Sequence, residues 1–419
     1  MSLSDRTPEL VILTVLVLLV AVGALAGGGG SERGDAVGNT RGATVSRERI
    51  DRIAGRIERL RGLRFRHPVG VEVVSPAEAR RVGLAEMART EAASEQRAEE
   101  ELLKLLGLLP PETSMRRVTS LVFAEQVAGF YEPRRGRLAL VRGVGVDDVT
   151  LAHELTHALE DQHFDLERFG DGPDDDRATA EQALAEGTAT LVMQDYAERW
   201  PSATPVGDAL EGLTQVTGST PLPAYVIRSL VFPYIQGEGF AGSLRDAAGG
   251  DWRLVDVALR DRPPVTSAEI LDPDRWLRAR APEPIALGGT GALRAAGGWR
   301  RLAGSTLGAE DVAALLTAES GPLGARRLTA GWSGGRYALW RRGPLPASGC
   351  AAPCRSRDAL QLALRMETTR QARRLVAALR RWIDALPDSS AGSVRIGGDG
   401  RTVRAALAPT PALADALTR

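Results

Sequence analysis

The chain has 419 residues, 43% hydrophobic and 25% charged, an ordinary globular composition and a length that suits two folded domains better than one core. Lysine plus arginine and aspartate plus glutamate balance at 53 each, so no net field argues for nucleic acid as a partner. Arginine carries nearly all the positive charge, Lys104 being the sole lysine, and a single arginine reads as solvated surface charge.

Leu10 to Ala26 is apolar apart from Thr14 and Gly23. A cleaved signal peptide fits the small-residue pattern Ala24-Leu25-Ala26. An uncleaved anchor fits the length, near the short end of the ~17–25 residues a span requires. The head opposes Arg6 to Asp5 and Glu9, a weak basic region, and the anchor is favoured. Either reading exports the rest of the chain. Residues 1–27 are thus a signal or membrane anchor, and 28–45 a Gly-rich flexible linker.

Ile50, Ile53, Ile57 and Leu60 recur at steps of three and four, predicting an amphipathic helix over 45–63. Val71–Val74 is a short strand. A helical stretch runs from Pro76 to Leu106, with the charges of Glu95 to Glu101 as its wet face. Gln126–Tyr131 and Arg137–Val141 form a hairpin turning at Glu132–Gly136. Asp147-Asp148 caps a helix from Val149 to Asp165. The acidic run Gly170–Asp176 lacks the ligand alternation of a calcium loop and reads as a solvated loop and cap. A helix follows over 178–200, then a Gly/Pro/Thr-rich loop over 201–223. The stretch 224–247 is helical with interruptions near Pro233 and Gly237, and another helix spans 252–259.

A composition shift over 281–298 separates domains at 46–285 and 286–419. In the second, 336–341 and 360–366 are strands, 368–386 a helix and 393–407 a hairpin, which makes a small α+β domain. Cys350 and Cys354 are the only cysteines. With no histidine or further cysteine nearby they read as a small disulfide in an oxidising compartment.

Of four histidines, three (His153, His157 and His163) fall within eleven residues. His153 and His157, at i and i+4, share one helix face and can share a tetrahedral zinc. Glu154 follows the first ligand and is placed to act as general base. The flanking Leu151, Leu155, Ala158 and Leu159 supply the helix that this chemistry needs. Two candidates compete for the third ligand. His163 has the spacing of a metzincin ligand, but Glu160 stands where that pattern needs glycine. On a continuing helix His163 lies about 9 Å further along the axis and off the ligand face. Glu186, in Ala185-Glu186-Gly187-Thr188-Ala189, sits on the next helix among small residues that permit close helix approach. Glu186 is preferred. Glu181 and Glu198 on that helix read as surface charges, and His67, before Pro68, reads as a structural or exposed residue.

The string His153-Glu154-Leu155-Thr156-His157 followed by Glu186-Gly187 resembles the gluzincins. Over Val118 to Trp276, with Ala224-Tyr225 and Gly239-Phe240, the chain resembles a poorly characterised group of exported or membrane-anchored bacterial proteins assigned as metallopeptidases. The resemblance implies an α+β, zincin-like catalytic domain of two central zinc-binding helices and a small sheet, followed by the C-terminal α+β domain. It implies Zn2+ held by His153, His157 and Glu186, Glu154 as base, and a peptide or protein substrate. A strand of the hairpin Gly129–Val141 would pair with the substrate backbone. Tyr234, ahead of Tyr225 and His163, is the candidate oxyanion donor; Asp161 and Asp195 are the candidate partners behind the ligand histidines. Two rival functions remain: a zinc amidase acting on cell-wall substrates, and a catalytically silent, membrane-tethered scaffold.

Overall fold

Ile50, Ile53 and Ile57 are the buried stripe of helix α1 (Arg47–Arg61), whose first turn is capped by Ser46 accepting from the Arg49 N–H. The computed structural model describes residues 45–90, 93–118, 129–143, 145–170, 174–201, 222–343, 353–386 and 391–419. Strand β1 (Gly70–Val74), helices α2 (Pro76–Thr90) and α3 (Ala93–Leu105), and strands β2 (Gly129–Glu132) and β3 (Arg137–Val141) follow. The first sheet has the order β1-β3-β2, with β1 parallel to β3 and β2 antiparallel at the edge. Residues 126–128, expected in the hairpin, fall outside the described residues.

Helices α4 (Asp148–Phe164), α5 (Asp175–Arg199) and α6 (Ala224–Ala247) form the centre, with the shorter α7 (Arg253–Arg260), α8 (Ser267–Leu271) and α9 (Pro273–Leu277) packed around them. Asp147 and Asp174 cap α4 and α5 by accepting from Thr150 and Arg177 N–H groups. The interruptions expected near Pro233 and Gly237 are absent, and α6 runs through both. Proline removes its own donor and crowds the carbonyl one turn back, a local cost. Burial of Phe232, Tyr234, Phe240, Ala241 and Leu244 along this helix holds it in one piece.

The C-terminal part adds α10 (Thr290–Ala296), β4 (Trp299–Ala303), α11 (Ala309–Thr329), β5 (Trp332–Arg342), β6 (Asp358–Met366), α12 (Thr369–Ala385), β7 (Ala391–Ile396), β8 (Thr402–Ala408) and α13 (Pro411–Leu417). Its antiparallel sheet has the order β4-β5-β6-β8-β7. Period-2 alternation sorts β6: Leu360, Leu362 and Leu364 pack with Leu375, Leu379 and Trp382 of α12, while Ala359 packs with Leu293, Ala414 and Leu417 on the other face. Leu102 and Leu105 of α3 enter the first of these cores, and the Trp382 indole donates to the Leu106 carbonyl at 3.1 Å. A core of the second domain therefore crosses the 46–285/286–419 division. The wet face expected over Glu95–Glu101 is also corrected: Glu99 is buried, and Glu101 pairs with Arg341 at 3.3 Å. The architecture is α+β with two sheets.

Among the described residues no helix is long and apolar enough to cross a membrane; the apolar segment 10–26 lies outside them. Cys350 does as well, whereas Cys354 is disulfide-bonded.

The acidic run expected as a solvated loop becomes, at its end, a buried junction. Asp174 accepts from Thr306 Oγ1 at 2.6 Å, Asp175 from the Tyr337 hydroxyl at 3.1 Å, and Asp176 from the Ser267 N–H at 2.9 Å. Asp175 and Asp176 are each 2% exposed, and burial pushes both carboxyls well above their ordinary range. An acid whose folded pKa is raised binds more protons folded than unfolded, so its ionisation costs stability as pH rises. Asp176→Asn keeps an acceptor for Ser267 and removes that cost. The variant is expected to be more stable than the parent at pH 8, by about 1 kcal/mol or more. The gain should shrink as pH falls toward the unfolded carboxylate pKa of about 3.9. Parallel melting curves from pH 4 to 8 check this, and a gain independent of pH would contradict it.

Candidate metal centre

Nearly every side chain of α4 from Val149 to Glu160 is buried, because α1, α5 and the first sheet surround it. Two polar side chains one turn apart in such a helix need partners. His153 and His157 turn their Nε2 atoms to within 3.0 Å of each other. Glu186 of α5 places Oε2 at 3.1 Å from His153 Nε2 and 3.3 Å from His157 Nε2. Ligand atoms ~2.0–2.1 Å from a tetrahedral centre lie about 3.3 Å apart, and the three observed separations are close to that edge. Among the described residues these three side chains alone gather closely enough to hold an ion as a group of three.

The electrostatics suit a cation. Burial lowers His153 to about 4, leaving a neutral ring with a lone pair. Burial also works against charge on His157, but the carboxylates of Glu186, Glu154 and Glu160 outweigh it and raise the ring to about 9. On Glu186 burial acts upward, yet His157 and His153 hold the carboxyl down to about 2. The carboxylates thus draw positive charge onto the trio, and a divalent ion would take over from a proton.

Glu154 points from α4 toward the first sheet, where its Oε2 accepts the Tyr131 N–H at 2.7 Å. Its Oε1 is buried with no hydrogen-bond partner among the described residues. Burial pushes this carboxyl up to about 8. Tyr234 reaches the site from α6: its ring centroid is 6.1 Å from that of His153, and its hydroxyl hydrogen-bonds Glu186. Burial keeps the phenol protonated, well above its ordinary range, so it remains a donor.

Other candidates lie elsewhere. His163 turns outward and donates to the Arg64 carbonyl at 2.8 Å. Tyr225 lines a small pocket with Leu103, Leu315 and Tyr337. Asp161 accepts from the Tyr131 hydroxyl at 2.8 Å, and Asp195 pairs with Arg245; neither is hydrogen-bonded to a trio histidine. Glu181, expected as a surface charge, is buried and accepts from the Gly170 N–H at 3.0 Å. Exposed His67 takes no part in the trio.

Sequence reasoning missed two contributors. One is the Tyr131 N–H, since a backbone donor leaves no mark on residue type. The other is Gly237: a methyl placed on Gly187 would fall inside the Gly237 backbone. The small residue beside Glu186 therefore admits α6, not α4. No family model, curated protein or solved structure matches the chain.

Proposed function

We propose that the chain is a zinc-dependent peptide-bond hydrolase of the gluzincin type, with a zincin-like catalytic domain displayed outside the cytoplasm. The observation that carries this reading is the convergence of His153 Nε2, His157 Nε2 and Glu186 Oε2 at tetrahedral spacing, with Glu154, on the helix of the two histidines, presenting an Oε1 that has no hydrogen-bond partner among the described residues. The apolar segment 10–26 and the disulfide at Cys354 support export.

His153, His157 and Glu186 would hold the ion. Zinc, when bound, supplies a Lewis acid that polarises the scissile carbonyl and acidifies water. Glu154 Oε1 takes the proton of the attacking water and passes it to the leaving nitrogen. Tyr234, kept protonated, donates to the oxygen on which negative charge develops. Among the described residues strand β2 lies at the edge of its sheet, and in antiparallel geometry alternate residues turn their N–H and C=O away from the sheet. The Tyr131 N–H is one of these outward groups, so those of Gly129, two residues earlier, face the same way. They offer an extended peptide a backbone to pair with.

The test is zinc content of the purified full chain together with cleavage of a broad peptide library. One zinc per chain is expected, abolished in Glu186→Ala and kept in His163→Ala. Loss of zinc only in the second variant would transfer the third ligand to His163. Zinc without any cleavage would favour the scaffold, and cleavage confined to cell-wall amides the amidase.

A further inference from the structure

Tyr131 contacts the motif helix twice. Its N–H donates to Glu154 Oε2 at 2.7 Å, and its hydroxyl donates to Asp161 Oδ2 at 2.8 Å. Glu154 and Asp161 are seven residues apart, two turns of α4, and so lie on one face. Asp161 is itself fixed, since its other oxygen accepts the Leu166 N–H at 2.9 Å where α4 ends. The tyrosine is 3% exposed, so both bonds act where water competes little. Among the described residues its strand is otherwise held along one edge, by β3.

We propose that Tyr131 is the positioning residue of the base: its N–H fixes one oxygen of Glu154, and its phenol, anchored on Asp161, holds strand β2 at the height where that bond forms. The proposal rests on the peptidase reading above. It explains why one carboxylate oxygen of Glu154 is bonded while the other is left for the proton in transit. It also joins substrate binding to catalysis, because the strand that would pair with an extended peptide is the one that aims the base. A peptide seated on β2 stiffens the strand and thereby sharpens the orientation of Glu154.

Tyr131→Phe removes only the hydroxyl. Loss of a hydrogen bond to a charged acceptor should lower kcat about tenfold, with KM and zinc affinity within about twofold of the parent. Hydrogen exchange at the residue-131 amide should quicken by a similar factor while that at Leu138 is unchanged. Asp161→Asn in the parent background, which retains an acceptor for the phenol, should keep most of both. In the double variant Tyr131→Phe/Glu154→Gln, kcat should be no lower than in Glu154→Gln alone, because the phenol acts through that carboxylate. An unchanged exchange rate at residue 131, or an additive loss in the double variant, would overturn the proposal. Exchange needs neither zinc nor turnover, so failure of the clamp is separable from failure of the peptidase reading. A parent chain that neither binds zinc nor cleaves peptides would remove both.

Discussion

Glu154→Gln is expected to retain one zinc per chain and to lose about 10²–10⁴-fold in kcat, the range over which a positioned acid–base group acts. Glutamine is nearly the same size as glutamate, and its carbonyl oxygen can accept the Tyr131 N–H that now bonds Oε2. The difference is confined to the other atom. Oε1, buried and without a hydrogen-bond partner among the described residues, becomes an amide NH2 that cannot take a proton. Glu186 gives the opposite pattern. Its Oε2 closes the trio at 3.1 and 3.3 Å, and Glu186→Ala leaves two imidazoles for the metal. Zinc affinity should fall by more than the ~10–100-fold that loss of an outer partner costs. Metal content and kcat/KM measured on both variants separate the roles. If Glu154→Gln kept full activity, the base would have to be sought elsewhere. If it lost zinc as Glu186→Ala is expected to, Glu154 would be a ligand.

What could be read in the sequence follows the range of the interactions involved. His153 and His157 are legible because their relation is local: four residues in a helix fix a common face, and Leu151, Leu155 and Ala158 around them specify the helix. Glu186 is legible at one remove, since a carboxylate among alanine, glycine and threonine does not belong on a wet surface. The partner of Gly187 is not legible. Close approach shows in the residue type, but the identity of the approaching helix depends on the docking of α6, which begins only at Ala224, well after α5 ends at Arg199. The acidic run 174–176 departs from its local pattern for the same reason. Asp176 is a solvated cap by local rules and becomes buried only when Ser267 and Gly308 arrive from segments some 90 and 130 residues later in the chain. Pro233 is a third case, where packing of the whole helix outweighs one missing donor. The edge position of β2 depends on β1 joining the far side of β3, and a parallel pairing across more than sixty residues leaves no local pattern.

The glycine contact gives the second large effect, because two simple arguments about it have opposite signs. Helix propensity says that Gly237→Ala, in the interior of α6, should stabilise by about 1 kcal/mol. Packing says otherwise. A Cβ on Gly237 meets the Ala183 carbonyl oxygen, and one on Gly187 meets the Gly237 backbone, both within van der Waals overlap. The obstacle in each case is main chain inside a helix, which cannot rotate away as a side chain would. Overpacking of well-packed interiors costs about 1–3 kcal/mol and occasionally more, and a backbone obstacle belongs at the upper end. Packing should win: either variant is expected to lose about 3 kcal/mol, lowering Tm by about 6–12 °C for a cooperative unit of 150–250 residues. Gly239→Ala is the internal control. It lies on the same helix, exposed, with nothing within 4 Å of the added methyl, so there propensity alone operates and Tm should rise slightly. The damage reaches the centre as well. Gly187 adjoins Glu186, and Gly237 lies one turn from Tyr234, whose hydroxyl bonds that carboxylate. Pushing α5 and α6 apart draws both away from His153 and His157, so zinc affinity should fall together with stability in Gly187→Ala and Gly237→Ala, and stay unchanged in Gly239→Ala.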